Sequence, residues 1–179
     1  ACNQLSIPVV SGNVSFYNET NNRSVLPTPM IGMVGEMEDV RCQVAAIAKE
    51  HGCLYVLSPK ANKASFVGSL LADVAGCFSV GQLSDVDYSA EKESLELLSK
   101  LSQQKYLYSA RDVGRGGVFC CVVQMFAKQR GKIELTLSGE DFELMLFGEQ
   151  AGCYLLLVAN HCEKSFLKMF ITGTTVIVE

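Results

Sequence analysis

The chain has 179 residues, of which 49% are hydrophobic and 19% are charged, and its formal net charge is −4. This composition excludes a disordered chain and predicts a well-packed core, since a chain of this length buries about 70% of its unfolded surface. The acidic balance and the lack of a basic cluster argue against a nucleic-acid partner, and no apolar run reaches membrane-spanning length.

The first predicted element is a strand over residues 7–15, which begins apolar and becomes polar at Gly12. Asn13 and Ser15 follow with amide and hydroxyl groups suited to Mg²⁺, phosphate or ribose, and Gly12 lets a ligand approach the backbone closely. The alternative is that asparagine and glycine after a strand form only a turn. A second strand is predicted over residues 29–38, after a polar loop, and a domain boundary at residues 39–40.

The rest of the chain alternates between strand-like and helix-like patterns. Residues 41–50 are ambiguous, because their composition favours a helix. Helix 89–104 is predicted to start at a Ser89 cap and to bury one leucine-bearing face, and Asp87 before it is suited to a capping or turn role. The remaining predictions are strands at 54–57, 133–137, 154–159 and 171–178, and helices at 67–75, 119–127, 142–147 and 161–170.

A second glycine-rich motif spans residues 109–118, with sequence SARDVGRGGV, and leads into an apolar helix. Glycines at the start of a helix leave backbone N–H groups open, and that end of the helix favours anions, so a phosphate fits there. Arg111 and Arg115 would make such a site more basic. The alternative is that Gly116 and Gly117 only allow the helix start to pack closely against the sheet.

The eight cysteines form no C-x-x-C pair, and the two histidines do not complete a zinc site. We therefore expect buried free thiols. His161 beside Cys162 is expected to be a surface histidine rather than part of a catalytic pair, because a catalytic pair requires orientation by a third group.

The strings SGNVSFYNET at 11–20 and PTPMIGMVGEMEDV at 27–40 resemble formylglycinamide ribonucleotide amidotransferase, also called phosphoribosylformylglycinamidine synthase, of the small multi-subunit type. The resemblance implies that Gly12 contacts ATP, that Asn13 binds Mg²⁺ and that Ser15 contacts the ribonucleotide substrate. It also implies a C-terminal fragment related to aminoimidazole ribonucleotide (AIR) synthase.

The implied fold is α+β: a mixed sheet covered by helices, as in the C-terminal domain of AIR synthase, preceded by two strands of an incomplete N-domain. Residues 1–39 would be the end of the second N-domain, and residues 40–179 the C-terminal domain. The family places an extended segment at 41–50, so a strand is predicted there.

Two further stretches resemble the same family. Residues 109–118 resemble its Ser-Ala-His-Asp-Val-Ser-Asp-Gly-Gly-Leu pattern, with Arg111, Gly114 and Arg115 in place of the histidine, serine and aspartate and Val118 in place of the leucine. In larger relatives, the aspartate and serine of this pattern hold an auxiliary nucleotide, so losing the serine argues against such a site near Asp112. Residues 146–149 resemble an LFGE signature, in which a capping or pairing role is expected for Glu149.

The activity implied is the ATP-dependent ligation that converts formylglycinamide ribonucleotide to the amidine in purine biosynthesis. The family's catalytic histidines lie outside these residues, so no catalytic residue is expected here and the fragment alone should be inactive. The implied ligands are ATP, Mg²⁺ and the ribonucleotide. The implied protein partners are the N-terminal remainder of the synthetase, a glutaminase subunit and a small bridging subunit, and the implied location is the cytoplasm. Alternatives are an AIR synthetase type of enzyme or a non-catalytic docking module, and a homodimer is possible.

Overall fold

The computed structural model describes residues 1–15, 17–59, 62–77, 81, 83, 85–129, 141–169 and 175–177. The chain divides into two compact units, residues 1–40 and residues 41–179. A division by contacts does not identify the domain family of either unit. The assignment of 1–39 to an N-domain and of 40–179 to a C-terminal domain therefore stays a prediction.

The first unit contains one short helix and one small hairpin. Helix α1 spans Cys2–Leu5, and strands β1 (Glu19–Thr20) and β2 (Arg23–Ser24) pair in antiparallel fashion. Asn21 and Asn22 form the turn with φ values of 52° and 57°, a left-handed conformation that asparagine tolerates well. The described residues of the polar loop predicted before position 29 are all exposed.

The strands predicted at 7–15 and 29–38 are not formed in the structure. Both segments lie outside every strand, and apolar side chains within them are largely exposed, with Val10 at 91% and Met30 at 96%. A strand requires a neighbour that pairs with its backbone N–H and C=O groups. Within the described residues of this unit the only β pairing is the two-residue hairpin, so an apolar sequence pattern alone was not sufficient.

The second unit is built around a four-stranded antiparallel sheet. Its strands are β3 (Cys53–Leu57), β4 (Leu107–Asp112), β5 (Tyr154–Val158) and β6 (Thr175–Ile177), in the order β4-β5-β3-β6. A single parallel bridge joins Ala45 to Ser109 at the β4 edge. Residues 41–50 thus contribute one extended contact to the sheet, which is neither the predicted strand nor a helix.

Helices lie on both faces of this sheet. The helices of the second unit are α2 (Leu70–Val74), α3 (Tyr88–Gln103), α4 (Gly117–Met125), α5 (Phe142–Phe147) and α6 (Glu163–Met169), and short 3₁₀ turns lie at Val40–Cys42 and Asn160–Cys162. Of these helices, α3, α4 and α6 contribute to the core on the sheet. Successive residues of β5 point to opposite faces, so Leu155 and Leu157 pack with α4, while Leu156 and Val158 pack with α3 and α6. The predicted α+β class with a helix-covered sheet is confirmed, whereas the four strands pair only in antiparallel fashion and do not form the predicted mixed sheet.

Several local predictions agree with the structure. Helix 142–147 has the predicted bounds, and the apolar run at 154–159 forms the buried strand β5. Helix α3 is capped by Asp87, whose carboxylate accepts from the backbone N–H groups of Ser89 and Ala90, and not by Ser89 as predicted. The strand predicted at 133–137 lies outside the described residues. No helix in the described part of the chain is long and apolar enough to cross a membrane.

Replacing Leu101 with alanine should lower the free energy of unfolding by about 2–5 kcal/mol, because this α3 side chain is fully buried against the sheet and its loss leaves a cavity. Urea unfolding measures the effect. The matched control is Leu95→Ala in the same helix, where the side chain is 43% exposed and the expected loss is under about 1 kcal/mol. Equal losses in the two variants would contradict the described core.

Candidate functional site

The first sequence-predicted site lies in the first unit, on the segment before the hairpin. Gly12, Asn13 and Ser15 are all exposed there. A methyl group added at Gly12 would meet nothing within 4 Å, so a ligand could approach this backbone closely. The structure leaves all three residues accessible, and their roles as ligand-contacting residues stay predictions.

Asn18 fixes the backbone beside these residues. Its Nδ2 donates to the backbone oxygen of Ser15 at 3.1 Å, and its own backbone oxygen accepts from the N–H of Val25 at 3.0 Å. The segment that carries Ser15 is therefore tied to the base of the hairpin. The side chains of Asn13 and Ser15 are both exposed.

The donor set of this segment suits a hard cation only in part. The amide oxygen of Asn13 is a ligand type that Mg²⁺ accepts, usually together with carboxylates, water and phosphate. Within the residues that the structure describes, no group of three or more His, Cys, Asp or Glu side chains could hold a metal ion. Asn13 therefore fits as one contributor to a magnesium site whose other ligands come from a nucleotide, water or another part of a larger protein.

The second motif connects β4 to α4 in the second unit, and its two glycines serve close packing. Gly116 and Gly117 have φ values of 90° and 67°, in the left-handed region. A Cβ at Gly117 would lie 2.5 Å from the backbone oxygen of Leu146 and 2.9 Å from that of Gly148. The packing alternative is thus supported, and the atoms nearest to Gly117 belong to the end of α5 and to Gly148.

The position where a phosphate was predicted is occupied by the chain's own carboxylate. Oε1 of Glu149 accepts from the backbone N–H of Gly116 and from that of Leu70, each at 2.8 Å. One oxygen therefore satisfies free donors at the starts of both α4 and α2. The expected capping role of Glu149 is confirmed, whereas its reach to α2 was not predicted.

The two arginines of this motif already have partners. Arg115 forms an exposed ion pair with Asp73 of α2, and Nη2 of Arg111 donates to Oε1 of Gln124 at 2.7 Å. Asp112 is exposed at the end of β4. The predicted basic character is therefore partly offset, since one of the two cations faces a carboxylate.

The cysteines are all free, as predicted, but only Cys121 and Cys153 are buried, while Cys2 and Cys77 are exposed. Burial raises the pKa of the Cys121 thiol to about 11, although the nearby Arg111 opposes this shift, and burial raises the pKa of Cys153 to about 12. Both thiols belong to the core cluster between α4 and the sheet. A thiol held neutral is a poor nucleophile and a poor metal ligand, so this pair is structural.

Comparison with known proteins identifies relatives for nearly the whole chain. No family model matches it. The chain is 37% identical over 170 residues to phosphoribosylformylglycinamidine synthase subunit PurL of Campylobacter jejuni subsp. doylei, and 37% identical over 175 residues to the PurL subunit of a Thermoanaerobacter species. Each alignment covers 94% of this chain and 23% of the relative. The chain thus spans about a quarter of the length of these relatives.

Solved structures show a similar fold at much lower identity. The Thermotoga maritima PurL complexed with FGAR superposes with a TM-score of 0.55 at 15% identity, covering 76% of this chain and 25% of that one. A second match, the structure of PurLQS from T. maritima, has a TM-score of 0.51 at 16% identity and covers 76% of this chain and 23% of that one. These matches support the fold described above.

Raising the pH from about 9 towards 12 should lower the free energy of unfolding. Unfolding returns the pKa of each buried thiol to about its ordinary value of 9.0, so the stability that both neutral thiols contribute is complete below pH 9. This stability is lost as the pH rises through the pKa values of the two thiols in the folded state, by at most about 1.4 kcal/mol per pH unit for each thiol. Urea unfolding at a series of pH values measures the slope.

Two double variants are compared. In Cys121→Ala/Cys153→Ala, the free energy of unfolding should depend less steeply on pH than in the parent. In Cys2→Ala/Cys77→Ala, which changes two exposed thiols, it should keep the slope of the parent. Because slopes are compared, a lower starting stability of the core variant does not affect the result. Equal slopes in the two double variants would contradict the assigned pKa shifts.

Proposed function

The chain is related over almost its whole length to part of the PurL subunit of phosphoribosylformylglycinamidine synthase, and we propose that it supplies one wall of the nucleotide and substrate site of such a synthase. The activity is the ATP-dependent conversion of formylglycinamide ribonucleotide to the corresponding amidine. The chain spans about a quarter of its relatives, so it acts together with the remaining portion of a PurL-type protein.

The observation that carries this proposal is the 37% identity over 94% of the chain, which includes the first motif. The accessibility of Gly12, Asn13 and Ser15 agrees with the proposal, since a wall of a site must present its groups outward. The relatives' name supplies the reaction class.

Each residue of the first motif has a proposed task. Gly12 allows the backbone to lie close to ATP, the amide oxygen of Asn13 holds Mg²⁺, and the hydroxyl of Ser15 binds the ribonucleotide. The bound cation neutralises charge on the transferred phosphoryl group. The contribution of these residues is position and electrostatics, so none of them is a catalytic acid or base.

The proposed partners follow from the same relation. ATP and the ribonucleotide are the small-molecule ligands, and ammonia comes from a separate glutaminase subunit with a small bridging subunit in the complex. One of the similar solved structures carries the name PurLQS, from T. maritima. We place the activity in the cytoplasm, where this biosynthetic chemistry occurs.

The second candidate function is a non-catalytic docking module. It is favoured by the glycine motif of the second unit, where Glu149 and Asp73 occupy the groups that a bound anion would otherwise contact. It is also favoured by exposed apolar side chains in the first unit, such as Val10 and Met30, which offer a surface for a partner. In that case the chain would stabilise a synthase without contacting its substrates.

Replacing Ser15 with alanine should raise the KM for formylglycinamide ribonucleotide about 3- to 10-fold, because one hydrogen bond worth about 0.5–1.5 kcal/mol is lost. The chain is mixed with the remaining portion of a PurL-type synthase and an ammonia source, and amidine formation is measured. The free energy of unfolding should stay within about 0.5 kcal/mol of the parent, since Ser15 is exposed.

The matched control is Ser24→Ala, which changes another exposed serine of the same unit, on the hairpin, and should leave the KM unchanged. An unchanged KM in Ser15→Ala would remove the role proposed for this residue. If the parent chain adds no activity to the mixture while it does associate with the remaining portion, the docking module is the correct function.

A further inference from the structure

Helix α2 lies across the glycine loop formed by residues 114–117, and it is held there without a buried side chain of its own. None of its five residues is buried, and Val74 near its end is 78% exposed. The side chain of Leu70 covers part of the loop, with its Cδ2 atom 3.1 Å from where a Cβ at Gly116 would lie. Burial of this helix is partial, since Leu71 is 38% exposed and Leu70 and Ala72 are half-buried.

Two polar contacts join α2 to the glycine loop, and they differ in strength. The ion pair between Arg115 and Asp73 is exposed on both sides, at 63% and 49% of the two side chains, so solvent and salt weaken it. Glu149 contributes the other contact, in which one carboxylate oxygen accepts from Leu70 N and Gly116 N, and both of these hydrogen bonds are partly buried. Hydrogen bonds to a charged acceptor are the stronger type.

The segment before α2 is anchored more firmly than the helix itself. Ser65 and Glu149 exchange two backbone hydrogen bonds of 3.0 Å. The Ser69 side chain is fully buried, and its hydroxyl accepts from the backbone N–H of Ala72 at 3.2 Å. After Ser69 the chain is mostly exposed up to Cys77. The start of this segment is thus fixed at Ser65 and Ser69.

We propose that α2 is a strap over the glycine loop, and that Glu149 is the latch that keeps it closed. Opening lifts residues 70–77 as one segment about the fixed position at Ser69. It separates Leu70 from the Glu149 carboxylate and Asp73 from Arg115, while the backbone N–H of Gly116 keeps its bond to Glu149. The sheet and its two core clusters do not take part, because no residue of the strap belongs to either cluster.

Amide hydrogen exchange of the 179-residue chain, followed by mass spectrometry, tests this device. Glu149→Gln keeps the shape of the side chain but removes its charge. It should speed exchange of the 70–77 and 114–117 amides about tenfold or more, while the β3 and β5 amides keep their parent rates. Arg115→Gln removes only the exposed pair and should change the same rates less than about twofold. Glu96→Gln, which changes an exposed glutamate of α3, is the control for charge alone and should change none of these rates.

Unchanged exchange at 70–77 in Glu149→Gln would overturn the proposal, and so would an equal rise in β5, which would show a global loss of stability. A measurement on the unmodified chain tests the same device if the variants do not fold. Exchange of the 70–77 amides should depend far less on low concentrations of urea than exchange of the β5 amides, because a strap opening exposes little surface. The same urea dependence in both segments would show that α2 opens only by global unfolding.

Discussion

The pairing of β5 with β3 is the contact on which the second unit depends. Five residue pairs join these strands, from Cys53 with Val158 to Leu57 with Tyr154. Because β5 also pairs with β4, it lies inside the sheet, and the residues from Leu155 to Val158 are at most 1% exposed. Their side chains alternate between the two faces and so contribute to both core clusters. The β4 to α4 connection, with its glycine loop, is held in place by this arrangement.

The sequence was sufficient to predict elements that are determined by their own residues. The apolar run at 154–159 has no polar face, which is typical of a strand covered on both sides, and helix 142–147 ends at Gly148 as expected. Residues 7–15 also begin with an apolar stretch, yet they form no strand, because pairing depends on a neighbour that the pattern does not contain. The double cap by Glu149 was missed for a similar reason, since it depends on the distant pairing of Ser65 with Glu149.

The two glycine-containing motifs of the sequence have different surroundings in the structure. In the first unit, Gly12, Asn13 and Ser15 keep their groups accessible, which agrees with residues that face a ligand supplied from outside the unit. In the second unit, the backbone N–H of Gly116 and the guanidinium of Arg115 are bound by carboxylates of the chain itself. A glycine-rich loop before a helix predicts an anion at the helix start, but it does not say whether that anion is a phosphate or a side chain.

The most direct test of the proposed function is calorimetric titration of the chain with ATP and Mg²⁺, alone and after addition of the remaining portion of a PurL-type synthase. Nucleotide binding that depends on Asn13 should appear only in the mixture. Asn13→Ala should weaken this binding, whereas Asn22→Ala on the hairpin turn should not. Binding of the same strength without this chain, or binding that Asn13→Ala leaves unchanged, would contradict the claim that the first motif forms a wall of the site.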